Sequence, residues 1–441
     1  MKVKKNPTDL VVTGKNSTDS SRRQFIKKTA AATVLAAAGP VILPKFARAA
    51  ARPIKIGFVT PKTGVLSAFG DCDDFVLRGV RKAVAGGIMV NGTNHPVEII
   101  VKDTLSETSR SAQVAAELIK SDKVDLLLSA CHVDTIKPAA EQAEVNGVPC
   151  ITTDCPWQLI EFGRGDPQKG FDWTYHFFWG FEDDIAVDLD LWTSIPTNKV
   201  LGALWPNDQS GIGYSDPKMG FPTPLQEKGF KVVDPGRFDY NTPDFSAQIA
   251  MFKKAQVEIV HGILSPSVFA NFWNQAAQQG FKPKILTMSA ALLFPAAVNS
   301  LDDDRGVGLT AQINWSPGFP FKSGLTGQTA AQLCEQWEKE TGKQWTQPIG
   351  HKHALFEAAV DVLKRTKNID SPKSIADAIG TTSYDSIVGH LQWPGQPFKN
   401  VCKTPLLGGQ WVKGKKYKYD ILIVNNMEAK EIPLQSPLKP L

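Results

Sequence analysis

A chain of 441 residues, 42% apolar and 21% charged, has a globular composition that excludes a disordered chain and leads us to expect two domains of roughly 150 to 200 residues. The formal charge of +5 is not spread over the body. Residues 1–49 hold 10 Lys and Arg against 2 Asp, which leaves 39 basic and 42 acidic groups, a net charge of −3, in the remainder. Global charge therefore gives no support to a nucleic-acid groove, and no nucleic-acid partner is expected.

The asymmetry has a local cause. Ser21-Arg22-Arg23-Gln24-Phe25-Ile26-Lys27 reads as a twin-arginine export motif, followed by an Ala-rich apolar stretch from Thr29 to Ile42 and the small-x-small cleavage site Ala47-Arg48-Ala49. Gly39-Pro40 and Pro44 interrupt the run, which is too short and too poor in Leu to span a membrane. Cleavage is expected after Ala49, with Ala50 and Ala51 as near alternatives, and the mature chain is expected in the periplasm or another extracytoplasmic space, delivered by a twin-arginine translocase. Six cysteines (72, 131, 150, 155, 334 and 402) include no CxxC pair. Free buried thiols and disulfides stay equally open.

In chain order, Ile54 to Thr60 alternates as a strand and ends in a loop with Pro61 and Gly64. A helix follows, with Phe75, Gly79, Val80, Ala83 and Val84 on one face and Asp71, Asp73 and Asp74 at its N-terminus, where the helix dipole favours acids. Val97 to Val101 is the next strand, and Ala112, Ala115, Ala116 and Ile119 mark the next helix. Strands at Val124 to Leu128 and Val148 to Thr152 flank a helix from about Asp134 to Asn146. After a Gly-rich stretch the rhythm resumes with strands at Trp173 to Trp179, Lys199 to Trp205, Lys231 to Val233, Glu258 to Leu264 and Lys284 to Met288. Helices are expected near 244–255 and 267–279, then a helical region beyond Gln328 and short strands near Ile387 to Trp393 and Tyr419 to Val424. Repeated βα units mean parallel sheets, and the restart means two lobes.

In parallel sheets ligands sit outside the carboxyl ends of the strands. That rule selects the loops at 63–72, 129–134 and 152–157 in one lobe and at 206–214, 264–267 and 289–292 in the other. The sequence has no GxSxG elbow, no GxxxxGK[ST] loop, no strand-borne GxGxxG and no HExxH. Cys131-His132 is weighed as a nucleophile and base, but adjacent residues rarely orient toward each other, so a pocket-lining loop is the reading kept. His351 and His353 point about 200° apart on a helix, a poor metal geometry, and one packed and one solvent-facing ring is expected. Asp302-Asp303-Asp304 reads as a solvated turn. No metal or cofactor is expected. Among 11 tryptophans, Trp157 and Trp205 adjoin strand-end loops and are candidates to stack on a ligand.

Several stretches together carry a resemblance. Thr63-Gly64 with Phe69-Gly70, the Pro138-Ala139 helix leading to Gly147-Val148-Pro149 and Ile151-Thr152-Thr153, Thr242 to Ser246, Gln275 to Phe281 and Ile387 to Trp393 are spaced along nearly the whole mature chain. In that order they resemble the type I periplasmic binding proteins, closest to the leucine/isoleucine/valine receptors of ABC transporters. The resemblance implies two doubly wound parallel-sheet α/β lobes joined by three hinge crossovers near 177–180, 314–318 and 402–406. Residues 52–177 and 316–403 form the first lobe and residues 178–315 and 404–441 the second. It also implies a small-molecule ligand trapped by hinge closure and delivery to a membrane permease and ATPase, with no enzymatic step.

Carried over residue by residue, the resemblance places Phe69 against the ligand and puts the carboxylate-receiving positions at Ala130 to His132 and Thr153 to Cys155. Here Ala130 lacks a hydroxyl, His132 adds a donor, and Asp154 would repel an anion unless it is protonated or paired. Ser289-Ala290-Ala291 lacks the acid that meets an α-ammonium, and Ser210 stands near the place of an aromatic for which Tyr214 can substitute. The expected ligand-binding set is Phe69, Cys131, His132, Thr153, Asp154, Cys155, Trp157, Trp205, Tyr214, Ser265 and Ser289. The departures point away from a plain branched-chain amino acid and toward an aromatic or apolar carboxylate or amide. A ligand sensor with a signalling partner and a hydrolase built on Cys131 and His132 are the alternatives.

Overall fold

The structure, a computed structural model, describes residues 51–162, 169–239 and 242–441, so the twin-arginine segment lies outside it. β1 (Ile54–Thr60) opens the body, and a small hairpin of β2 (Ile88–Val90) and β3 (Thr93–His95) precedes β4 (Val97–Asp103). With β5 (Leu126–Ala130), β6 (Cys150–Thr153) and β7 (Thr174–Phe177), β1 and β4 build a sheet in the order β7-β6-β5-β1-β4. The connections run through helices, so every pairing in it is parallel. The second sheet uses β8 (Val200–Leu204), β9 (Lys231–Val233), β10 (Ile259–Leu264), β11 (Ile285–Ala290) and β12 (Thr310–Ile313).

The remaining strands tie the two sheets together. β13 (Ser383–Ser386) and β14 (Gly389–Gln392) form a separate hairpin, so the strand expected near Ile387 to Trp393 joins neither large sheet. β15 (Val401–Cys402) adds a parallel edge to β7. The chain then returns to the second sheet, where β16 (Leu407–Lys413) pairs antiparallel with β12 and β17 (Tyr419–Asn425) with β16. The two lobes are thus two sheets linked where the chain leaves β7, leaves β12 and leaves β15.

Burial corrects several details. In the helix Asp73–Ala83 the inner face is Phe75, Val76, Leu77 and Val80, while Ala83 is exposed. In Thr108–Glu117 it is Ser111, Val114 and Ala115, with Ala112 and Ala116 half-buried. His351 and His353 are both buried, because the helix Pro348–Arg365 that carries them is packed on nearly all sides. Phe177 and Phe178 stack near His351, and Ser323 bonds His353 at 2.9 Å. The three aspartates at 302–304 are exposed, and Asp302 and Asp304 pair with Arg305 and Lys413. All six cysteines are buried and free.

Candidate functional site

The carboxyl ends of both sheets face one cavity of about 60 Å³. The first sheet and its crossover supply Phe69, His132, Val133, Asp154, Cys155 and the pair Phe178-Trp179; the second supplies Ser210, Tyr214, Ile263, Ser289, Gln312 and Asn314. Backbone geometry marks the same place. Cys131 and His132 after β5, Asp154 after β6 and Ala290 as the last residue of β11 hold φ values of 78°, 28°, 80° and 62°. Left-handed φ at a non-glycine residue costs about 1–3 kcal/mol and persists where the surroundings over-determine it. Four of the twelve non-glycine residues with positive φ among the described residues thus stand at strand ends around the cavity.

Two contacts join the lobes across it. Ser210 Oγ and His132 Nε2 lie 3.1 Å apart, and the rings of Phe69 and Phe294 meet edge to face at 4.9 Å. The other ring nitrogen of His132, Nδ1, faces Asp134 Oδ2 at 3.3 Å. Burial alone would lower the pKa of His132, but Asp134 and then Asp208 outweigh it and raise it.

Beneath the second-lobe wall runs a chain of hydrogen bonds. Tyr214 donates its hydroxyl to Asp184 Oδ2 (2.8 Å), Ser289 donates to Gln312 Oε1 (2.9 Å), and Gln312 Nε2 donates to both oxygens of Asp188 (3.1 Å each). Trp205 Nε1 donates to His261 Nδ1, which leaves the proton of His261 on Nε2, 3.4 Å from Asp188 Oδ2. Asp184 and Asp188 are fully buried. Burial pushes the Asp184 carboxyl up to about 7 and Asp188 well above the carboxylate range, while it pushes His261 down to about 3. Near pH 7 such a cluster keeps Asp188 and His261 neutral and holds Asp184 at the middle of its titration.

The first lobe buries an acid differently. Lys352 Nζ bonds Asp73, the carbonyl of Phe69 (2.6 Å) and Thr60 Oγ1 (3.3 Å), which uses all three ammonium protons. Burial opposes the charge on Lys352, but Asp73 outweighs it and raises the pKa. The same bond to Phe69 fixes the loop that carries the Phe69 ring. Asp154 lies nearby, buried, with Oδ2 unpartnered, and burial raises its carboxyl to about 6.

Of the residues read from the sequence, Phe69, His132, Asp154, Cys155, Tyr214 and Ser289 line the cavity. The other five do not. Cys131 packs behind Phe69 with Phe294 and Ala297. Burial raises its thiol well above the ordinary value, while both ring nitrogens of His132 face other partners, so the pair is not set up as nucleophile and base. Thr153 turns its hydroxyl onto the carbonyl of Phe177 (2.7 Å). Trp157 stacks on Phe398 at 4.2 Å in a different groove and bonds Glu182. Trp205 is held between His261 and Arg237, and Ser265 begins the helix Pro266–Gln278.

Sequence reasoning missed Phe178, Trp179, Gln312 and Asn314 in the lining and Asp184 and Asp188 behind it. The two acids belong to the helix Phe181–Thr193, whose signal was present in Gly180 followed by Glu182, Asp183 and Asp184 in the first turn. β12 was signalled by strict alternation over Leu309 to Trp315, whose polar members Thr310, Gln312 and Asn314 face the buried network or the cavity.

Among the described residues no group of three metal-ligating side chains occurs, and no helix is long and apolar enough to cross a membrane. Solved structures that share the fold include three solute receptors. A leucine binding protein from Thermotoga maritima superposes with a TM-score of 0.70 at 20% identity, covering 85% of this chain and 99% of that one. A solute binding protein of an ABC transporter from Rhodopseudomonas palustris, in complex with 3,4-dihydroxy benzoic acid, gives 0.67 at 17%, covering 85% and 99%. The branched-chain amino acid transporter substrate binding protein LivJ from Streptococcus pneumoniae, in complex with isoleucine, gives 0.65 at 16%, covering 84% and 99%. The periplasmic binding protein family matches residues 53–415, and a match over that much of the chain makes this protein a member of the periplasmic binding protein family.

Proposed function

We propose that the protein is the exported substrate-binding component of an ABC importer, which captures a small organic solute between its lobes and presents it to a membrane permease with its ATPase. The observation that carries this reading is the single cavity where the carboxyl ends of both sheets meet, bridged by Ser210 with His132 and by Phe69 with Phe294. Residues 52–177 with 316–403 and 178–315 with 404–441 move as the two lobes. The crossovers near 177–180, 314–318 and 402–406 act as hinges. Lys403 pairs with Glu182 and Asp183, which braces the first and third crossovers against each other, and Gln347 bonds the backbone at Gln312 and Asn314 where the second begins. Phe69, His132, Asp154, Cys155, Tyr214 and Ser289, with Phe178, Trp179 and Gln312, hold the solute. Residues 1–49 direct export through a twin-arginine translocase and are removed, leaving the working protein outside the cytoplasmic membrane.

The aromatic lining supports an aromatic or otherwise apolar solute body. A thermal-shift screen against a library of amino acids, amides, amines and carboxylates tests the proposal. A ligand at 100 times its Kd should add about 2.7 kcal/mol of stability. The radius of gyration should fall when that ligand is added. A library that stabilises nothing would sink the proposal.

A further inference from the structure

The hydrogen-bond polarity of the cavity narrows the solute further, given the binding role proposed above. Three of the side-chain donors on the second-lobe wall are turned away from the cavity. The Tyr214 hydroxyl proton goes to Asp184, the Ser289 proton to Gln312, and both Gln312 bonds to Asp188. His132 has one ring nitrogen against Ser210 and the other against Asp134. No Lys or Arg lines the cavity among the described residues. The nearest ammonium, Lys352, is fully used by Asp73, the Phe69 carbonyl and Thr60.

What remains turned toward a solute is mostly lone pairs. Asp154 lines the cavity at 6% exposure, and its Oδ2 is buried without a hydrogen-bond partner. Tyr214 and Ser289 have spent their protons and keep oxygen lone pairs. Two side-chain donor groups are uncommitted: Trp179 Nε1, buried beside the cavity without a partner, and the amide of Asn314, whose Oδ1 is likewise buried without a partner. An ionised carboxylate placed here would meet Asp154, while the positive charges within reach, Lys352 and a protonated His132, are already paired with Asp73 and Asp134, and like charges in a dry site repel strongly. A solute with N–H donors would satisfy Asp154, and a carbonyl on the same solute would satisfy Trp179.

We infer that the site selects a solute whose polar end is an N–H donor, an amide, urea or protonated amine on an apolar or aromatic body, over the matching carboxylate. Burial of Asp154 raises its carboxyl to about 6, as an acceptor with no donor in reach requires, and a bound N–H donor would lower it.

Calorimetry and thermal shift on the purified protein with matched pairs test this: benzamide and benzylamine against benzoate, and leucinamide against leucine. The nitrogen donor of each pair should bind at least 10-fold tighter than its carboxylate partner. Asp154→Asn, which keeps shape and can still fold without a partner at that position, should reduce the preference for benzylamine over benzoate at least 10-fold. Equal or tighter binding of benzoate or leucine by the parent protein would overturn it while leaving the binding role intact. Failure of every compound here and in the wider library would overturn both.

Discussion

The two lobes bury carboxylates beneath the same cavity by opposite means. In the first, burial raises the Asp73 carboxyl and Lys352 works against that shift, with one of the ammonium's other protons fastening the backbone of the Phe69 loop. In the second, Asp184 and Asp188 lie one helical turn apart with no cation and are pushed toward the neutral form by burial, with Tyr214 and Gln312 as donors. A buried ion pair is held by its partner and fails when the partner is lost. A buried neutral acid is held by dehydration and fails when pH forces it to ionise. The first lobe should therefore be sensitive to mutation, and the second to pH.

The largest effect should come from breaking the ion pair. Lys352→Met leaves Asp73 buried without its cation and should cost about 3–5 kcal/mol in denaturant titrations. Adding Asp73→Asn to it should recover much of that loss. If the double variant is no better than the single, the charge on Asp73 is not the cause.

Next in size is the pH response of the second lobe. Asp184 titrates at about 7 in the folded protein against an ordinary 3.8. With the folded pKa raised, its contribution is fully present below the unfolded value and is lost as pH rises through about 7. Asp184→Asn removes that loss, so it should gain on the parent by about 2–4 kcal/mol between pH 4 and pH 8. A gap between the two proteins that stays constant over this range would remove the distinction between the lobes. Tyr214→Phe should cost about 1–3 kcal/mol by taking the donor from Asp184. Combined with Asp184→Asn it should be non-additive, because the two side chains share one hydrogen bond.

The smallest effect belongs to the contact between the lobes. Ser210→Ala removes the bond to His132 without touching either buried acid, at about 0.5–1.5 kcal/mol. Unfolding midpoints should barely move, and ligand affinity should fall by less than about 10-fold, with a larger radius of gyration in scattering.

The architecture was legible because βα periodicity is a local property: β1, β8 and β10 begin or end within a residue of their apolar runs. The short strand β12 and the helix Phe181–Thr193 were not read, although alternation and an acidic first turn announced both. Their buried faces carry Gln312, Asp184 and Asp188, polar residues where a core reading expects apolar ones. The candidate site was legible as a set of loops but not as a set of side chains. Thr153 and Asp154 are neighbours after the same strand, yet one turns its hydroxyl into the sheet and the other lines the cavity. That choice is set by the left-handed backbone at Asp154, which no propensity predicts.

The six cysteines carry a consequence for where this protein can be made. All are buried and none is bridged, and burial lifts the thiols of Cys72, Cys131 and Cys155 away from the reactive thiolate. The fold therefore owes nothing to oxidation, and a melting curve in millimolar dithiothreitol should overlay one in air. Such a chain is indifferent to redox potential: it can mature among cytoplasmic reductants and work afterwards among oxidants without any covalent remodelling on the way.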